Sequence, residues 1–256
     1  MILLHGSGGI NLKHKMIYAD EFAKMGVATV IVDLFSPRGV KNSVADQDSV
    51  TAREMTKDVI KVLHAVAKNP KINGGKIGLM GFSKGGTATM QAAFPFLNDP
   101  RDANFALYIA MYPSCNNFAL HPKTTGKPIK LILAGDDKYV SPTYCAEEAD
   151  ALRRNGANVA TVVLPNAQHG WDVPGPTHWS DPRGQNWSNC KFVEVTPRIW
   201  VENKSRIQVA NEKGLSPDRK KALAKCVTHG ISGGYSAEAS AKSIVLIKSY
   251  ITAILK

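Results

Sequence analysis

The stretch Leu79-Met-Gly-Phe-Ser-Lys-Gly-Gly-Thr87, LMGFSKGGT, places a serine between glycines directly after an apolar run. The apolar run that ends at Met80 predicts a buried strand, and the residues from Thr87 to Phe96 predict a helix. Between them, Gly-x-Ser83-x-Gly has the pattern of a nucleophile elbow, a turn so tight that its flanking residues must be small. Such a turn exposes the serine hydroxyl in a strained position above the sheet. The alternative is a glycine-rich turn in which Ser83 only caps the helix.

Length and composition indicate one globular domain. The chain has 256 residues, 44% of them hydrophobic, which is enough to fill a sizeable core. Lys and Arg number 32 against 21 Asp and Glu, giving a net charge of +11, but the basic residues are spread along the chain. Because a nucleic-acid-binding tract concentrates its charge on one face or arm, we expect no nucleic-acid partner. No apolar run approaches the roughly 18 residues of a membrane span, and the four residues before His5 are too few for a signal peptide.

Short apolar runs alternate with amphipathic stretches along the chain. After the first run, Met1 to Leu4, the predicted strands are Val27 to Val32, Ile77 to Met80, Phe105 to Met111, Ile129 to Ala134 and Val159 to Leu164. Most lack apolar/polar alternation, as strands buried on both faces do. The stretch from Ser49 to Asn69 has apolar residues at helical spacing. The alternation predicts an α/β fold, a mostly parallel, doubly wound sheet with helices on both faces. In such sheets the site lies at the carboxyl ends of the strands.

A serine hydroxyl needs a base to accept its proton, and histidine has a suitable pKa. His169 follows the last predicted strand, whereas His5 lies in the glycine loop after the first. The other five histidines lie away from the predicted strand ends and are interpreted as surface or packing residues: His14, His64, His121, His178 and His229. Asp136 and Asp137 both follow a strand between Ser83 and His169 and are candidates for the acid that orients the histidine. The order serine, acid, histidine is that of α/β-hydrolases.

Backbone N–H groups must also stabilise the negative oxygen that forms when the serine attacks. One candidate donor is Lys84, the residue after the nucleophile. The loop His5-Gly-Ser-Gly-Gly9 is small enough for its backbone to approach, and Ser7 is the second candidate donor. A mere turn is the alternative interpretation of this glycine-rich loop.

Together these motifs resemble the dienelactone hydrolase-like branch of α/β-hydrolases. The motifs occur in the family's order: HGSGG at 5–9, DLFSPRG at 33–39, GFSKGG at 81–86, GDDKYV at 135–140 and AQHGWD at 167–172. The resemblance covers residues 1 to about 172 and returns in the final helix, Ala237 to Leu255. It favours Asp137 as the acid, because Tyr139 and Cys145 fit the family's spacing after it. Dienelactone hydrolases proper use a cysteine nucleophile, so Ser83 implies a serine esterase instead. The family also has sheet strands ahead of HGSGG, so we expect a segment that preceded Met1.

The region between Trp171 and Ala237 exceeds what a minimal hydrolase needs. Cys190 to Val209 alternates and predicts a β-hairpin that turns near Thr196-Pro197, and Ser216 to Val227 predicts a helix. We therefore expect a single domain over 1–256, with 172–236 as a flap or insertion before the C-terminal helix. The flap either overhangs the site and limits substrate size or is purely structural. Trp179 and Trp187 are interpreted as packing residues of the flap.

The four cysteines suggest two disulfides. Cys190 and Cys226 flank the insertion and are expected to join its ends, whereas Cys115 and Cys145 follow neighbouring strands and form a second candidate pair. Paired cysteines imply an exported, periplasmic or extracellular protein; four reduced thiols in a cytoplasmic enzyme are the alternative. None has the spacing of a zinc site.

The motifs predict a serine hydrolase that cleaves carboxylic esters through an acyl-enzyme, with a small-molecule ester as substrate and with Ser83, His169 and Asp137 as catalytic residues. We expect neither a metal nor an organic cofactor. His5, Arg38 and Trp171 are candidate substrate contacts, although a solvated arginine is the simpler interpretation of Arg38. An acyltransferase with the same residues and a catalytically silent ligand-binding homologue are the alternatives. A peptidase fits less well, because nothing resembles a gating propeller domain.

Overall fold

The computed structural model describes residues 1–95 and 104–255. Its strands are β1 (Ile2–Leu4), β2 (Val30–Val32), β3 (Gly78–Phe82), β4 (Leu107–Met111), β5 (Asn117–Phe118), β6 (Ile129–Ala134), β7 (Val159–Leu164), β8 (Trp179–Asn186), β9 (Phe192–Thr196), β10 (Ile199–Glu202), β11 (Gln208–Asn211), β12 (Gly214–Leu215) and β13 (Thr228–Gly233). Its α-helices are α1 (Leu12–Ala23), α2 (Ala52–Ala67), α3 (Lys84–Ala92), α4 (Pro142–Arg154), α5 (Arg219–Leu223) and α6 (Ala237–Leu255). Within these ranges, no helix is both long and apolar enough to cross a membrane.

A six-stranded parallel sheet with the order β2-β1-β3-β4-β6-β7 forms the centre of the molecule. The chain runs from β1 outward to β2 and then returns to the other side of β1 to form β3. The carboxyl ends of β1 and β3 therefore adjoin at the point where the winding changes direction, which is where ligands bind in open α/β sheets. The parallel, doubly wound fold predicted from the apolar runs is confirmed.

Helices cover both faces of this sheet because successive strand residues point to opposite faces. On β1, Ile2 and Leu4 belong to the core shared with α2, α3 and α4. Leu3, between them, belongs to the core on the opposite face, where α1 and α6 pack. α2 begins with a capping box formed by Thr51 and Glu54, which supports the helix start predicted in this region. The predicted end of the helix after the elbow at Phe96 lies outside the described residues; α3 ends at Ala92.

The insertion is richer in strands than predicted. The predicted hairpin is confirmed as β9 and β10, and it extends into a five-stranded sheet with the order β12-β11-β10-β9-β5. A separate antiparallel ribbon, β8 with β13, was not predicted, because β8 has the polar sequence WSDPRGQN. The predicted helix from Ser216 to Val227 is wrong in length: α5 spans five residues. α5 ends at Leu223, and the chain then turns through Cys226 into β13, which begins at Thr228.

Both predicted disulfides are present. Cys115, after β4, is bonded to Cys145 on α4, and Cys190 is bonded to Cys226. The second disulfide lies in a small core of the insertion with Phe192, Val209 and Ala222. This separate core explains how the insertion keeps its shape although it lies outside the two cores on the faces of the main sheet.

Candidate active site

Ser83 lies at a strained turn between β3 and α3. Its backbone has φ 53° and ψ −119°, a positive φ that costs energy in any residue with a Cβ atom. The flanking glycines are required by space: a Cβ on Gly85 would lie 2.5 Å from the carbonyl oxygen of His5, and one on Gly81 would overlap the carbonyl of Gly85. The geometry is that of the predicted elbow, and the Ser83 side chain makes no capping hydrogen bond to the helix that the turn begins.

Ser83, His169 and Asp137 form a continuous chain of hydrogen bonds. His169 Nε2 lies 2.9 Å from Ser83 Oγ, and His169 Nδ1 lies 2.8 Å from Asp137 Oδ2. The other carboxylate oxygen of Asp137 accepts hydrogen bonds from the backbone N–H groups of Tyr139 (2.8 Å) and Val140 (3.0 Å). Asp137 is buried and both of its carboxylate oxygens are hydrogen-bonded, so its orientation is fixed. Through this chain an imidazole can take the serine proton while the carboxylate holds its tautomer.

The two aspartates after β6 have different surroundings. Asp136 is exposed and forms an ion pair with Lys138 at 2.8 Å, whereas Asp137 points inward to His169. The structure therefore places the residue favoured by the family spacing, and not its neighbour, beside the histidine.

Two backbone N–H groups are free to face an oxygen bound to Ser83. Lys84 is the first residue of α3, and a first helical residue has no intrahelical acceptor for its N–H. The Ser7 N–H donates to no acceptor in the described ranges, while its hydroxyl donates to Gln47 Oε1 at 2.9 Å. The β1 loop comes close to the serine, since a Cβ on Gly6 would lie 3.1 Å from Ser83 Cβ.

The side chain of Lys84 fixes the loop that follows β2. It is buried, and its ammonium group donates to Ser43 Oγ (2.6 Å), Gln47 O (2.8 Å) and Val50 O (2.8 Å). Burial lowers the pKa of Lys84 to about 7, and the more distant carboxylates of this region only partly oppose that effect. Lys84 therefore ties the segment 43–50, which carries part of the cavity wall, to the residue next to Ser83.

A second buried polar cluster supports His169 from behind. Asp172 Oδ2 accepts a hydrogen bond from Tyr18 (2.5 Å) and lies 2.8 Å from His14 Nε2, while Oδ1 accepts from Tyr112 (2.6 Å). Burial alone would raise the pKa of Asp172, but attraction to His14 and the hydrogen bonds outweigh it and lower the pKa to about 2. The Tyr112 ring meets the His169 ring edge-on at 4.8 Å. Sequence reasoning missed this cluster and took His14 for a surface or packing residue, although Asp172 follows the same strand as His169.

A cavity of about 220 Å³ opens beside Ser83 and is shared between the main fold and the insertion. Ser7, Lys84 and Tyr139 line it on the side of the elbow. Its apolar wall comes from α3, from the chain just after α3 and from the insertion: Met90, Phe94, Trp187, Phe192, Trp200, Val209 and Leu215. Trp187, interpreted from sequence as a packing residue, thus contributes to the cavity wall. The flap encloses the site instead of lying apart from it.

The three candidate substrate contacts do not line this cavity. His5 is buried and its Nε2 accepts a hydrogen bond from the Leu34 N–H at 3.1 Å. Arg38 forms an ion pair with Asp58 at 2.5 Å. Trp171 is fully buried, and its Nε1 donates to Ser243 Oγ on α6 at 3.4 Å. Each of these side chains has a structural partner, so the cavity does not support their role as substrate contacts, which stays a prediction. Within the described part of the chain, no three His, Cys, Asp or Glu side chains are grouped to hold a metal ion.

Comparisons of the sequence and of the fold with known proteins agree with each other. The sequence profile described as the dienelactone hydrolase family matches residues 1–194. A comparison with curated proteins finds no significant match. Among solved structures, the chain is similar to a dienelactone hydrolase-like promiscuous phosphotriesterase from metagenomic libraries, with 15% identity, a TM-score of 0.52, and 99% of this chain and 85% of that chain covered.

Two further structures have the same fold. A Klebsiella pneumoniae protein assigned as a dienelactone hydrolase is 19% identical, with a TM-score of 0.52 and coverage of 66% of this chain and 75% of that chain. Esterase 2 of Thermogutta terrifontis is 15% identical, with a TM-score of 0.53 and coverage of 68% and 74%; that esterase has also been solved phosphorylated by paraoxon. Since the family profile matches most of the sequence and the fold agrees, the chain belongs to the dienelactone hydrolase family.

Proposed function

We propose that this protein is a serine hydrolase that cleaves small carboxylic esters. The observation that carries the proposal is the hydrogen-bonded chain from Ser83 through His169 to Asp137, which begins at a strained elbow and opens on a cavity. Strain at this position is costly and persists where the surrounding structure holds it, which is characteristic of functional sites. Membership of a hydrolase family and the likeness to esterases support the same conclusion.

In the proposed mechanism, Ser83 Oγ attacks the ester carbonyl carbon while His169 Nε2 takes the hydroxyl proton. The carbonyl oxygen becomes negative and accepts hydrogen bonds from the N–H groups of Ser7 and Lys84. The bond to the alcohol then breaks, and His169 returns the proton to the departing oxygen. A water molecule attacks the acyl-enzyme by the same route, with His169 as base, and releases the acid and the free serine. No step requires a cofactor.

We also propose that the protein works in an oxidising compartment outside the cytosol, because two disulfides account for all four cysteines. The proposed organisation is one domain over 1–256 in which the flap, residues 172–236, walls the cavity. A flap held by its own disulfide and core suits an enzyme that limits the size of the ester it admits.

The test is the mass of the intact protein after incubation with a fluorophosphonate probe, which phosphonylates activated serines. We expect one adduct on the wild type and none on Ser83→Ala or His169→Ala, with hydrolysis of p-nitrophenyl acetate reduced at least about 10⁴-fold in both variants. His178→Ala, which alters an exposed histidine, is the matched control and should label normally. Absence of an adduct on folded wild-type protein would refute the proposal. Ester exchange exceeding hydrolysis when an alcohol is added would identify an acyltransferase instead.

A further inference from the structure

Glu148 is the exception among the buried carboxyl groups of the described ranges. Asp137, Asp172 and Glu202 each accept hydrogen bonds from two or more groups. Glu148, on α4, is only 8% exposed, yet within the described part of the chain it has neither a hydrogen bond nor an ion pair. Its side chain lines the same cavity as Ser83. A buried carboxyl without a partner is costly, so the position points to a ligand group that completes it.

The protonation state of Glu148 limits the chemistry of that ligand. Burial raises the pKa of Glu148 to about 8, so the group is mostly a neutral carboxylic acid at pH 7. A neutral carboxyl has one O–H donor and a carbonyl oxygen that accepts. A hydroxyl group offers the complementary pair, one acceptor and one donor, and satisfies both atoms at once.

The charges of the cavity favour a neutral ligand over a cationic one. Arg53 lines the cavity and donates to the carbonyl oxygens of Asn211 and Glu212, but in the described ranges no carboxylate pairs with it and its Nε has no acceptor. An ammonium group would have to ionise Glu148 and enter a cavity that already contains this guanidinium. A neutral hydroxyl group requires no ionisation of Glu148 and places no second positive charge beside Arg53.

The size and walls of the cavity indicate a ring. An engineered apolar cavity of about 150 Å³ in another protein binds benzene, and the cavity here measures about 220 Å³. Trp187, Phe192 and Trp200 are aromatic residues of its wall, and aromatic rings pack well against aromatic ligands. The space therefore admits a six-membered ring with one or two substituents.

We propose that Glu148 selects esters whose buried part is an aromatic ring bearing a hydroxyl. The ring hydroxyl donates to the carbonyl oxygen of the Glu148 carboxyl and accepts from its O–H, while the aromatic walls enclose the ring. That the protein cleaves the bound ester rests on the proposed function, whereas the binding of a ring hydroxyl by Glu148 does not. The preference for a hydroxyl group can therefore be measured with ligands that are not cleaved.

The experiment is a ligand-detected NMR titration with phenol, toluene and benzylammonium at pH 7, on wild type, Glu148→Leu, Glu148→Gln and Glu147→Leu. Glu147 is the matched control, because it is exposed and forms an ion pair with Lys191 outside the cavity. We expect wild type to bind phenol at least about 10-fold more tightly than toluene. Glu148→Leu should lose this preference, Glu147→Leu should keep it, and Glu148→Gln, which retains a donor and an acceptor, should keep it within about 3-fold.

Any one of four results would overturn the inference. Wild type could bind phenol and toluene equally, or bind phenol undetectably; the preference could persist in Glu148→Leu; or benzylammonium could bind more tightly than phenol. The kcat/KM ratio of methyl 4-hydroxybenzoate to methyl 4-methylbenzoate should follow the same order among the variants. Labelling of Ser83 by the fluorophosphonate is measured in parallel. A labelled Ser83 without a phenol preference refutes only the role of Glu148. A Glu148-dependent phenol preference without labelling refutes only the proposed reaction.

Discussion

Replacing Glu148 by Gln should stabilise the protein, and the gain should grow with pH. Gln has nearly the same shape as Glu but cannot ionise, so the two chains differ mainly in the charge of one buried group. In the unfolded chain Glu148 loses its proton near its usual pKa of 4.5, whereas in the folded chain it does so near 8. Between these values the folded protein binds a proton that the unfolded chain has released, so the stability of the wild type falls as pH rises.

The size of the effect follows from this pKa difference. Each pH unit between the two pKa values is worth about 1.4 kcal/mol, so the rise from 4.5 to about 8 corresponds to about 5 kcal/mol in total. At pH 7 roughly 3 kcal/mol of this stability difference is already present. Below pH 4.5 both states are protonated and the pH-dependent part of the difference vanishes; above pH 8 it is complete.

The assay is urea unfolding followed by tryptophan fluorescence at pH 5, 6, 7 and 8, with the disulfides kept oxidised. The measured quantity is the free energy of unfolding of Glu148→Gln minus that of wild type at each pH, a difference in which all other titrating groups cancel. Glu147→Gln should stay within about 0.5 kcal/mol of wild type throughout, because that side chain is exposed. A difference for Glu148→Gln that does not change between pH 5 and pH 8 would refute the reasoning, since Glu148 would then be ionised in the folded protein.

Three further predictions concern the support of the site. Asp137→Asn should lower kcat for p-nitrophenyl acetate by about 10⁴-fold with little change in KM, whereas Asp136→Asn should stay within about two-fold; equal losses would refute the assignment of the acid. Asp172→Asn should lower the free energy of unfolding by about 3 kcal/mol at pH 7, measured in urea, because a buried charge network loses its centre; an unchanged midpoint would contradict this. Replacing both Cys190 and Cys226 by Ser should cost about 2–4 kcal/mol of stability and raise KM more than it lowers kcat, and a change in kcat alone would count against a flap that walls the cavity.

The fold and the hydrogen-bonded chain could be predicted because they depend on position along the chain. Ser83, Asp137 and His169 follow β3, β6 and β7, and the carboxyl ends of parallel strands meet at one edge of the sheet. The small residues around Ser83 mark a turn without space for a Cβ. These are local signals whose meaning does not depend on distant contacts.

The rest depends on side-chain directions that a linear pattern does not contain. Trp171 and His169 share one loop, but the imidazole points to Ser83 and the indole points to α6. Glu147 and Glu148 look alike in the sequence as polar residues of an amphipathic helix, yet one lies on the surface and the other in the cavity. The partner of each long polar side chain is decided by tertiary packing, which overrides the helical pattern.

The cavity wall has a consequence for how this enzyme could be changed. The family profile ends at residue 194, whereas Trp200, Val209 and Leu215 of the wall lie beyond it. The segment that contains them is closed by the disulfide from Cys190 to Cys226. Under the proposed function, a different sequence grafted between the two cysteines should change which ester the protein accepts, because Ser83, Asp137 and His169 all lie outside this segment.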